Sequence, residues 1–422
     1  MFFLLYINDI ADDLQCDVKI FADDTSLFST TYDPNDCARS LNNDLCTIQN
    51  WANQWKMSFN PDPSKQAQEV IFSHKINKPN HPPLTFNNNV IDSISHQKHL
   101  GVILDEKLNF QEHIEQVLSK INRSLGLLRK LNSILPRSSL LTIYKAFIRP
   151  HLDYGDIIFD QAFNNSFQSK LENIQYKACL AITGAIQGTS MVKLYSELGL
   201  ESLQSRRWMR KLCFFYRVYN KQMPSYLTDV IPARNKNYNL RNPLNVNLMR
   251  VNHNFFKNSF FPSAIIEWNK LDLEIRTSVN IASFRKKILK LIKPSANSIF
   301  EIHNPMGIKL MCRLRLGLSH LREHKFKHGF LDTIDPMCSC GRGIENTAHF
   351  FLHCSLFDTK RTTLLNGITN INSDILNRID SEIVQLLLYG DPNFSIPVNK
   401  SILKLSIEFI LNSERFISSL YQ

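Results

Sequence analysis

The sequence predicts an α+β protein whose strands lie in the first hundred or so residues and whose remainder is largely helical. Apolar residues make up 43% and charged residues 21% of the 422-residue chain, which is typical of folded domains. Before residue 109 apolar positions form short runs or alternate, and after it they recur every three or four residues. We therefore expect four regions, at 1–108, 109–220, 221–305 and 306–422.

The first predicted element is a short hairpin within residues 17–30. One apolar run ends at Ala22 and a second begins at Thr25, so Asp23 and Asp24 fall at its tip. Helical spacing follows over 36–58, with Asp36 as the predicted N-cap and the prolines at 61 and 63 ending the helix. Strands are predicted at 69–73, 84–91 and 99–104, which makes this region mixed α and β.

From residue 109 onward the hydrophobic pattern is that of helices. Helices are predicted over 114–131, 139–150 and 165–183, with breaks at Pro136 and Pro150. Residues 221–254, rich in Asn and Pro, predict an irregular connector, and 255–292 return to helical periodicity. A compact C-terminal region is expected from Met306 onward.

Charge is unevenly distributed along the chain. The net charge is +11, but residues 1–60 carry three basic and nine acidic side chains, and residues 201–330 carry 24 basic and seven acidic ones. An acidic N-terminal part followed by a basic middle suits a protein that binds cations at one end and a polyanion at the other. A merely solvated basic surface is the alternative.

Other classes of protein are disfavoured by composition. The chain has no apolar run long enough for a transmembrane helix, and its first residues lack the basic start and cleavage site of a signal peptide. We therefore expect an intracellular protein without a membrane partner. The nine cysteines are odd in number and scattered, which argues against a disulfide framework.

Asp23 and Asp24 are the first candidate site. Two adjacent carboxylates on a tight turn repel each other unless a cation lies beside them, and Mg²⁺ prefers such oxygen ligands. A two-metal centre needs carboxylates from a further strand, so the pair is at most part of one. The alternative is that aspartates are simply good turn residues.

The second candidate site is a Cys/His cluster. Cys338, Cys340, His349 and Cys354 form a C-x-C-x8-H-x4-C pattern, a set of three thiols and one imidazole that suits structural Zn²⁺. His353 competes with His349, because both would lie on one face of a helix. Buried free cysteines beside surface histidines are the alternative.

A basic and aromatic helix is the third candidate. Residues 206–217 place cations among aromatic side chains, and those we assign to nucleic acid are Arg206, Arg207, Arg210 and Lys211. An amphipathic helix with an aromatic core face fits equally well. His320, His324 and His328 predict a solvated or RNA-facing stripe.

Several of these segments, in this order, resemble reverse transcriptases of non-LTR retrotransposons, most closely the jockey type. The resemblance is carried by residues 2–10 with the Phe-Ala-Asp-Asp hairpin at 21–24, by 51–60 with Lys65, by 99–105, and by 141–155 within a helical stretch. Residues 313–354 are similar to the Cys/His tail of such proteins. Ordered agreement of several motifs is more specific than any one of them.

The resemblance implies an incomplete reverse-transcriptase palm, a helical thumb and a small zinc-binding tail. It implies that Asp23 and Asp24 bind catalytic Mg²⁺, that Lys65 approaches the nucleotide phosphates, and that Leu100 and Gly101 lie under the primer end. The implied partners are an RNA template and a DNA primer or an RNA–DNA hybrid, and the implied place of action is the nucleus.

In that family a third catalytic aspartate and the fingers precede the point where this sequence begins. We therefore expect the chain to be inactive alone as an RNA-directed DNA polymerase, unless the missing palm and fingers are supplied in trans. The alternative function is a host-adopted or relic nucleic-acid-binding protein without catalysis.

Overall fold

The computed structural model describes residues 5–59, 67–77, 79–159, 165–232, 244–292, 302 and 304–416. The chain divides into two compact units, Met1–Ile114 and Glu115–Gln422. The first holds all the strands of the described residues and the second is helical, as the change in hydrophobic period predicts. The fold is therefore α+β with a helical majority, and the finer division into four regions stays a prediction.

Short strands in four two-stranded sheets make up most of the first unit. The pairs β1–β2, β4–β5 and β7–β8 are antiparallel, whereas β3 and β6 are parallel. The strands are β1 (Asp17–Phe21), β2 (Asp24–Phe28), β3 (Gln68–Glu69), β4 (Thr85–Phe86), β5 (Asn89–Val90), β6 (Asp92–Ser93), β7 (His96–His99) and β8 (Val102–Asp105).

All three predicted strands were too long, and the segment 99–104 contains the end of β7, a turn and most of β8. The segment 69–73 contributes only the end of β3, and 84–91 is a tight hairpin. The hairpin turns at Asn87 and Asn88, which have φ values of 52° and 62°. Asparagine tolerates this left-handed conformation, so the pair interrupts what hydrophobicity alone presents as one strand.

The helix of the first unit is α1 (Pro34–Trp55), and its predicted N-cap was wrong. Asp33, not Asp36, caps it, because the Asp33 side chain accepts a hydrogen bond from the Asn35 N–H, whereas Asp36 lies in the first turn. The helix ends at Trp55 because Lys56 is left-handed, with φ 56°. The prolines predicted to end it lie outside the described residues.

The second unit is built from helices. Helix α2 begins in the first unit and continues into the second. The helices are α2 (Gln111–Leu131), α3 (Arg137–Ile143), α4 (Arg149–Asp153), α5 (Asp156–Phe159), α6 (Asn165–Thr183), α7 (Met191–Leu198), α8 (Leu203–Tyr219), α9 (Ser225–Thr228), α10 (Asn254–Lys257), α11 (Phe260–Lys270), α12 (Leu273–Arg276), α13 (Ile281–Ile292), α14 (Pro305–Arg315), α15 (Arg322–Lys327), α16 (Asp358–Ile371), α17 (Asp380–Tyr389) and α18 (Ile396–Asn412).

Pro150 does not end a helix, contrary to the prediction from the sequence. A π-helical turn, Tyr144–Ile148, joins α3 to α4, and Pro150 lies in the first turn of α4. Pro150 therefore follows a wider turn, at a point where the regular i to i−4 hydrogen bonding of the helix is already interrupted.

Two large apolar clusters form the core of the second unit. One packs α8 against α11 and α13 around the fully buried Trp268, Phe215 and Phe284. The other surrounds Phe350 and Phe351 in the C-terminal region. Along the described part of the chain, no helix combines the length and apolar character needed to cross a bilayer.

Candidate functional site

The predicted carboxylate hairpin is present. Asp23 occupies its two-residue loop, and Asp24 begins β2 opposite Phe21. Ala22, the first loop residue, has φ 55°, as the tight turns favoured in hairpins require at this position. Both carboxylates are exposed, so they are free to reach a cation from solvent.

The buried carboxylate of the first unit has another role. Asp44 is 1% exposed and accepts hydrogen bonds from the backbone N–H groups of Gln15 and Cys16 at 3.0 and 2.7 Å. Burial, together with Asp44, raises the pKa of the Cys16 thiol to about 12. Asp44 thus holds the backbone that leads into β1. Among the described residues no third acidic, Cys or His ligand lies beside Asp23 and Asp24.

Leu100 and Gly101 form the turn between β7 and β8. Their φ values are 45° and 86°, so both are left-handed, and His99 pairs with Val102 across them. Two left-handed residues are typical of a type I′ hairpin turn, which suits glycine and strains leucine. Lys65, the residue assigned to nucleotide phosphates, lies outside the described residues.

The Cys/His cluster is brought together as predicted. One ligand atom from each of Cys338, Cys340, His349 and Cys354 lies within 4.8 Å of the others. The Cys338 and Cys354 sulfurs are 3.6 Å apart, and the Cys340 sulfur is 3.2 Å from Nε2 of His349. Tetrahedral zinc–thiolate ligation requires ligand separations of about 3.7 Å, so this donor set fits a zinc ion.

A tight turn places the first two cysteines. The Gly341 N–H donates to the Cys338 carbonyl at 2.9 Å, and the Cys338 N–H donates to the Gly343 carbonyl at 2.8 Å. Gly341 has φ 75°, a left-handed conformation that glycine adopts without strain. The turn aims both sulfurs at the same point.

His349, not His353, belongs to the cluster. Residues His349–His353 form a π-helical turn, closed by the Cys354 N–H donating to the His349 carbonyl at 2.7 Å. The wider turn removes the i, i+4 alignment on which the alternative depended. His353 instead lies 2.5 Å from a carboxylate oxygen of Asp380, which is 27 residues away and gave no sequence signal.

The four groups are electrostatically unequal. Burial raises the pKa of Cys338 to about 12 and also raises that of Cys354. The Arg342 N–H, which donates to the Cys340 sulfur at 3.4 Å, lowers the pKa of Cys340. Burial lowers the pKa of His349 and keeps its ring neutral, as metal ligation requires.

The structure gives the basic helix protein partners. Arg206 makes a bidentate pair with Asp153 at 2.7 Å and a further pair with Glu201 at 2.7 Å, and Arg210 pairs with the buried Asp156 at 2.6 Å. Burial opposes the charge of Arg206, but the hydrogen bonds to Asp153 raise its pKa.

The other two cations of α8 that we assigned to nucleic acid are buried. Arg207 and Lys211 are each 3% exposed. Their face of α8 therefore belongs to the interior, which is the amphipathic alternative weighed from the sequence. The assignment of Arg206, Arg207, Arg210 and Lys211 to nucleic acid stays a prediction.

The acidic partners could not be recognised in the sequence. Asp153 and Asp156 are 53 and 54 residues away from Arg206 and Arg210 along the chain, so no local pattern indicates the pairing. The prediction of a solvated histidine stripe is wrong at His324, which is 8% exposed and whose Nδ1 lies 2.8 Å from the Ser319 hydroxyl.

The chain is similar in sequence to RNA-directed DNA polymerases of Drosophila melanogaster transposons. It is 26% identical over 186 residues to the probable enzyme from transposon X-element, and the aligned residues make up 43% of this chain and 20% of that protein. It is 25% identical over 206 residues to that from transposon BS, covering 47% and 22%. For mobile element jockey the identity is 27% over 173 residues, covering 40% and 18%.

These comparisons confirm the resemblance predicted from the motifs. The chain spans about a fifth of the length of the relatives that it matches. No protein-family model matches it, and no solved structure does.

Proposed function

We propose that this chain is a portion of the RNA-directed DNA polymerase of a non-LTR retrotransposon and that it binds template and primer. The observation that carries this proposal is the similarity to three transposon polymerases over 40–47% of the chain. The carboxylate hairpin and the Leu100–Gly101 turn support it, because both have the local shape that the motifs require.

In this proposal the first unit holds the reacting groups. Asp23 binds Mg²⁺, with Asp24 beside it, and the ion supplies charge stabilisation for phosphoryl transfer. Lys65 approaches the phosphates of the incoming nucleotide. Leu100 and Gly101 lie under the primer end, where a tight turn without bulky side chains at Gly101 permits close approach of a strand.

Catalysis is tested by primer extension with Mg²⁺ on an RNA template. Asp23→Asn/Asp24→Asn should abolish any incorporation, whereas Asp12→Asn/Asp13→Asn, an adjacent and equally exposed pair in the same unit, should leave it unchanged. The comparison is made with the palm and fingers supplied in trans, and measurable incorporation that is equal in both variants would refute the role of Asp23 and Asp24.

A nucleic-acid-binding protein without catalysis is the second candidate function. It is favoured by the lack, within the described ranges, of a third carboxylate beside the hairpin tip. The two candidates differ in one measurement: template–primer binding with no incorporation by the chain alone supports the second. Incorporation restored by a separately added palm and fingers fragment supports completion in trans.

Binding itself is tested by fluorescence anisotropy with a labelled RNA–DNA hybrid at several salt concentrations. Phosphate contacts release counterions, so the logarithm of the affinity should fall linearly with the logarithm of the salt concentration. A chain that binds weakly and equally at low and high salt would contradict the proposal. Function inside the nucleus belongs to the same proposal.

We further propose that Cys338, Cys340, His349 and Cys354 bind one structural zinc ion. The four donors close a tetrahedral set with no position left for substrate, and the cluster adjoins the apolar core around Phe350. Elemental analysis should find about one zinc per chain, and Cys338→Ser/Cys340→Ser should remove it. Cys312→Ser, at a buried cysteine outside the cluster, should retain it.

A further inference from the structure

A groove between α2 and α6 holds two cations that have no ion-pair partner among the described residues. It is a cavity of 460 Å³ in the second unit, lined by Arg129 from α2, by Asn173, Tyr176 and Lys177 from α6, by Gln187 from the loop that follows, and by three apolar side chains. None of the described residues that line it carries a carboxylate. This distinguishes it from the surroundings of Arg206 and Arg210, whose charges are matched by Asp153 and Asp156.

Both cations of the groove are available to a ligand. Arg129 is exposed and Lys177 is half-buried, and within the described residues neither forms an ion pair or a side-chain hydrogen bond. The nearest acid along α6, Glu172, is held by the Tyr195 hydroxyl at 2.6 Å and by the Leu203 N–H at 3.1 Å. Its charge therefore does not compensate Lys177.

The polar groups of the groove suit phosphate oxygens. Asn173 and Gln187 present exposed amides, which donate hydrogen bonds without a charge of their own. The Tyr176 hydroxyl accepts from the Gly188 N–H at 2.9 Å and so holds the loop that carries Gln187 against α6. Two cations and two neutral amides that line one groove provide donors for an anion.

The cationic surface continues along α2 beyond the groove. Arg123 and Lys130 are exposed, and in the described part of the chain they also lack ion-pair partners. Between them lies Gly126, where an added Cβ would meet nothing within 4 Å. A glycine inside a helix costs about 1 kcal/mol relative to alanine, and here it leaves the helix backbone open to close approach.

The length of this surface selects the ligand. Seven residues of helix separate Arg123 from Lys130, a rise of about 10 Å, which exceeds the size of one phosphate. We propose that the groove and this strip of α2 bind the sugar–phosphate backbone of a nucleic-acid strand through successive phosphates. This inference rests on the proposed function and places the strand contact on α2 and α6 in place of α8.

The test compares two double variants of the full chain with the same loss of charge. Arg129→Gln/Lys177→Gln alters the groove, and Lys400→Gln/Lys404→Gln alters two exposed cations of α18. Binding of a labelled RNA–DNA hybrid is measured by anisotropy between 50 and 300 mM KCl, roughly the range over which phosphate contacts dominate affinity. The groove variant should bind about tenfold more weakly near 0.1 M salt, with a salt slope smaller by about 1 to 2. The α18 variant should change affinity less than about twofold.

A third variant removes no cation. Gln187→Glu places a carboxylate in the groove on an exposed loop and should also weaken binding of the hybrid. This variant tests the groove if circular dichroism shows that the double variant is unfolded. Wild-type affinity in both groove variants would overturn the groove while leaving the proposed function intact. Absence of binding by the wild-type chain would instead reject the proposed function. Displacement of the hybrid by equimolar inorganic phosphate would overturn the strand proposal in favour of a small-anion site.

Discussion

Arg137 donates from Nη1 to Oε1 of Glu197 at 2.9 Å, although both side chains are more than nine-tenths buried. Arg315 approaches the same oxygen at 3.2 Å, and the Cys312 sulfur accepts from Arg137 at 3.1 Å. Arg137 and Glu197 lie in α3 and α7, whereas Cys312 and Arg315 lie in α14. One carboxylate therefore holds the N-terminal and C-terminal halves of the second unit together.

Removing the charge of Glu197 should destabilise the second unit. In Glu197→Gln the two guanidinium groups would remain buried without a counter-charge, and breaking a buried ion pair by removing one partner costs about 3–5 kcal/mol. Urea unfolding followed by circular dichroism measures this loss. The matched control is Glu274→Gln, whose side chain is 86% exposed beside Lys287 and should cost less than about 1 kcal/mol. Equal losses in both variants would contradict a special role for the buried carboxylate.

Zinc content should distinguish His349 from His353. His349→Ala removes a donor from the cluster and should lower the metal content well below one per chain, because a three-ligand site binds zinc more weakly. His353→Ala removes only the exposed contact with Asp380 and should retain about one zinc. The two variants are purified in parallel under the same conditions. Loss of zinc in His353→Ala with retention in His349→Ala would refute the assignment of His349 as the ligand.

Stability should fall in mild acid because of His324. Burial lowers the pKa of His324 from its ordinary 6.5 to about 4 in the folded protein. The unfolded chain then binds a proton that the folded chain does not, so this contribution to stability is complete above about pH 6.5 and is lost as the pH falls toward 4. One such group changes the unfolding free energy by at most about 1.4 kcal/mol per pH unit.

The pH effect is assigned by comparing variants at pH 7.5 and pH 5. His324→Gln keeps a partner for the Ser319 hydroxyl and should flatten the decline, whereas His328→Gln, at an exposed position, should leave it unchanged. His320 titrates in the same range, because burial lowers its pKa to about 4 as well. A residual slope in His324→Gln is therefore expected, and it should become smaller in His320→Gln/His324→Gln. The slope that then remains includes the contribution of His349, whose pKa is also lowered by burial.

Local sequence patterns predicted the elements whose causes are local. The tip of the carboxylate hairpin, the long helices α2 and α6 and the ligand spacing of the Cys/His cluster all follow from periodicity or from turn residues. Other features depend on tertiary packing and could not be predicted from local patterns. Arg206 looks like a surface cation until Asp153, 53 residues away, is placed beside it, and His353 is excluded from the cluster by a π-turn that no propensity encodes.

The groove between α2 and α6 could not be predicted from the sequence either. Arg129 and Lys177 are unremarkable in the sequence, because single cations on amphipathic helices are common. Their shared groove exists only once α2 and α6 are packed together. What distinguishes the cations that stabilise this fold is an acidic partner in the folded structure, which the cations that we propose bind a ligand do not have among the described residues.

Two helical glycines should respond to alanine with opposite signs. A Cβ at Gly307, in the first turn of α14, would lie 2.2 Å from Cγ2 of Ile407 in α18, so one helix must shift. Overpacking of this kind costs about 1–3 kcal/mol. A Cβ at Gly126 in α2 would meet no atom within 4 Å, and the gain in helix propensity should stabilise the protein by up to about 1 kcal/mol. Thermal unfolding of Gly307→Ala and Gly126→Ala measures both effects. A stabilised Gly307→Ala variant would show that α14 and α18 do not pack as closely as the structure describes.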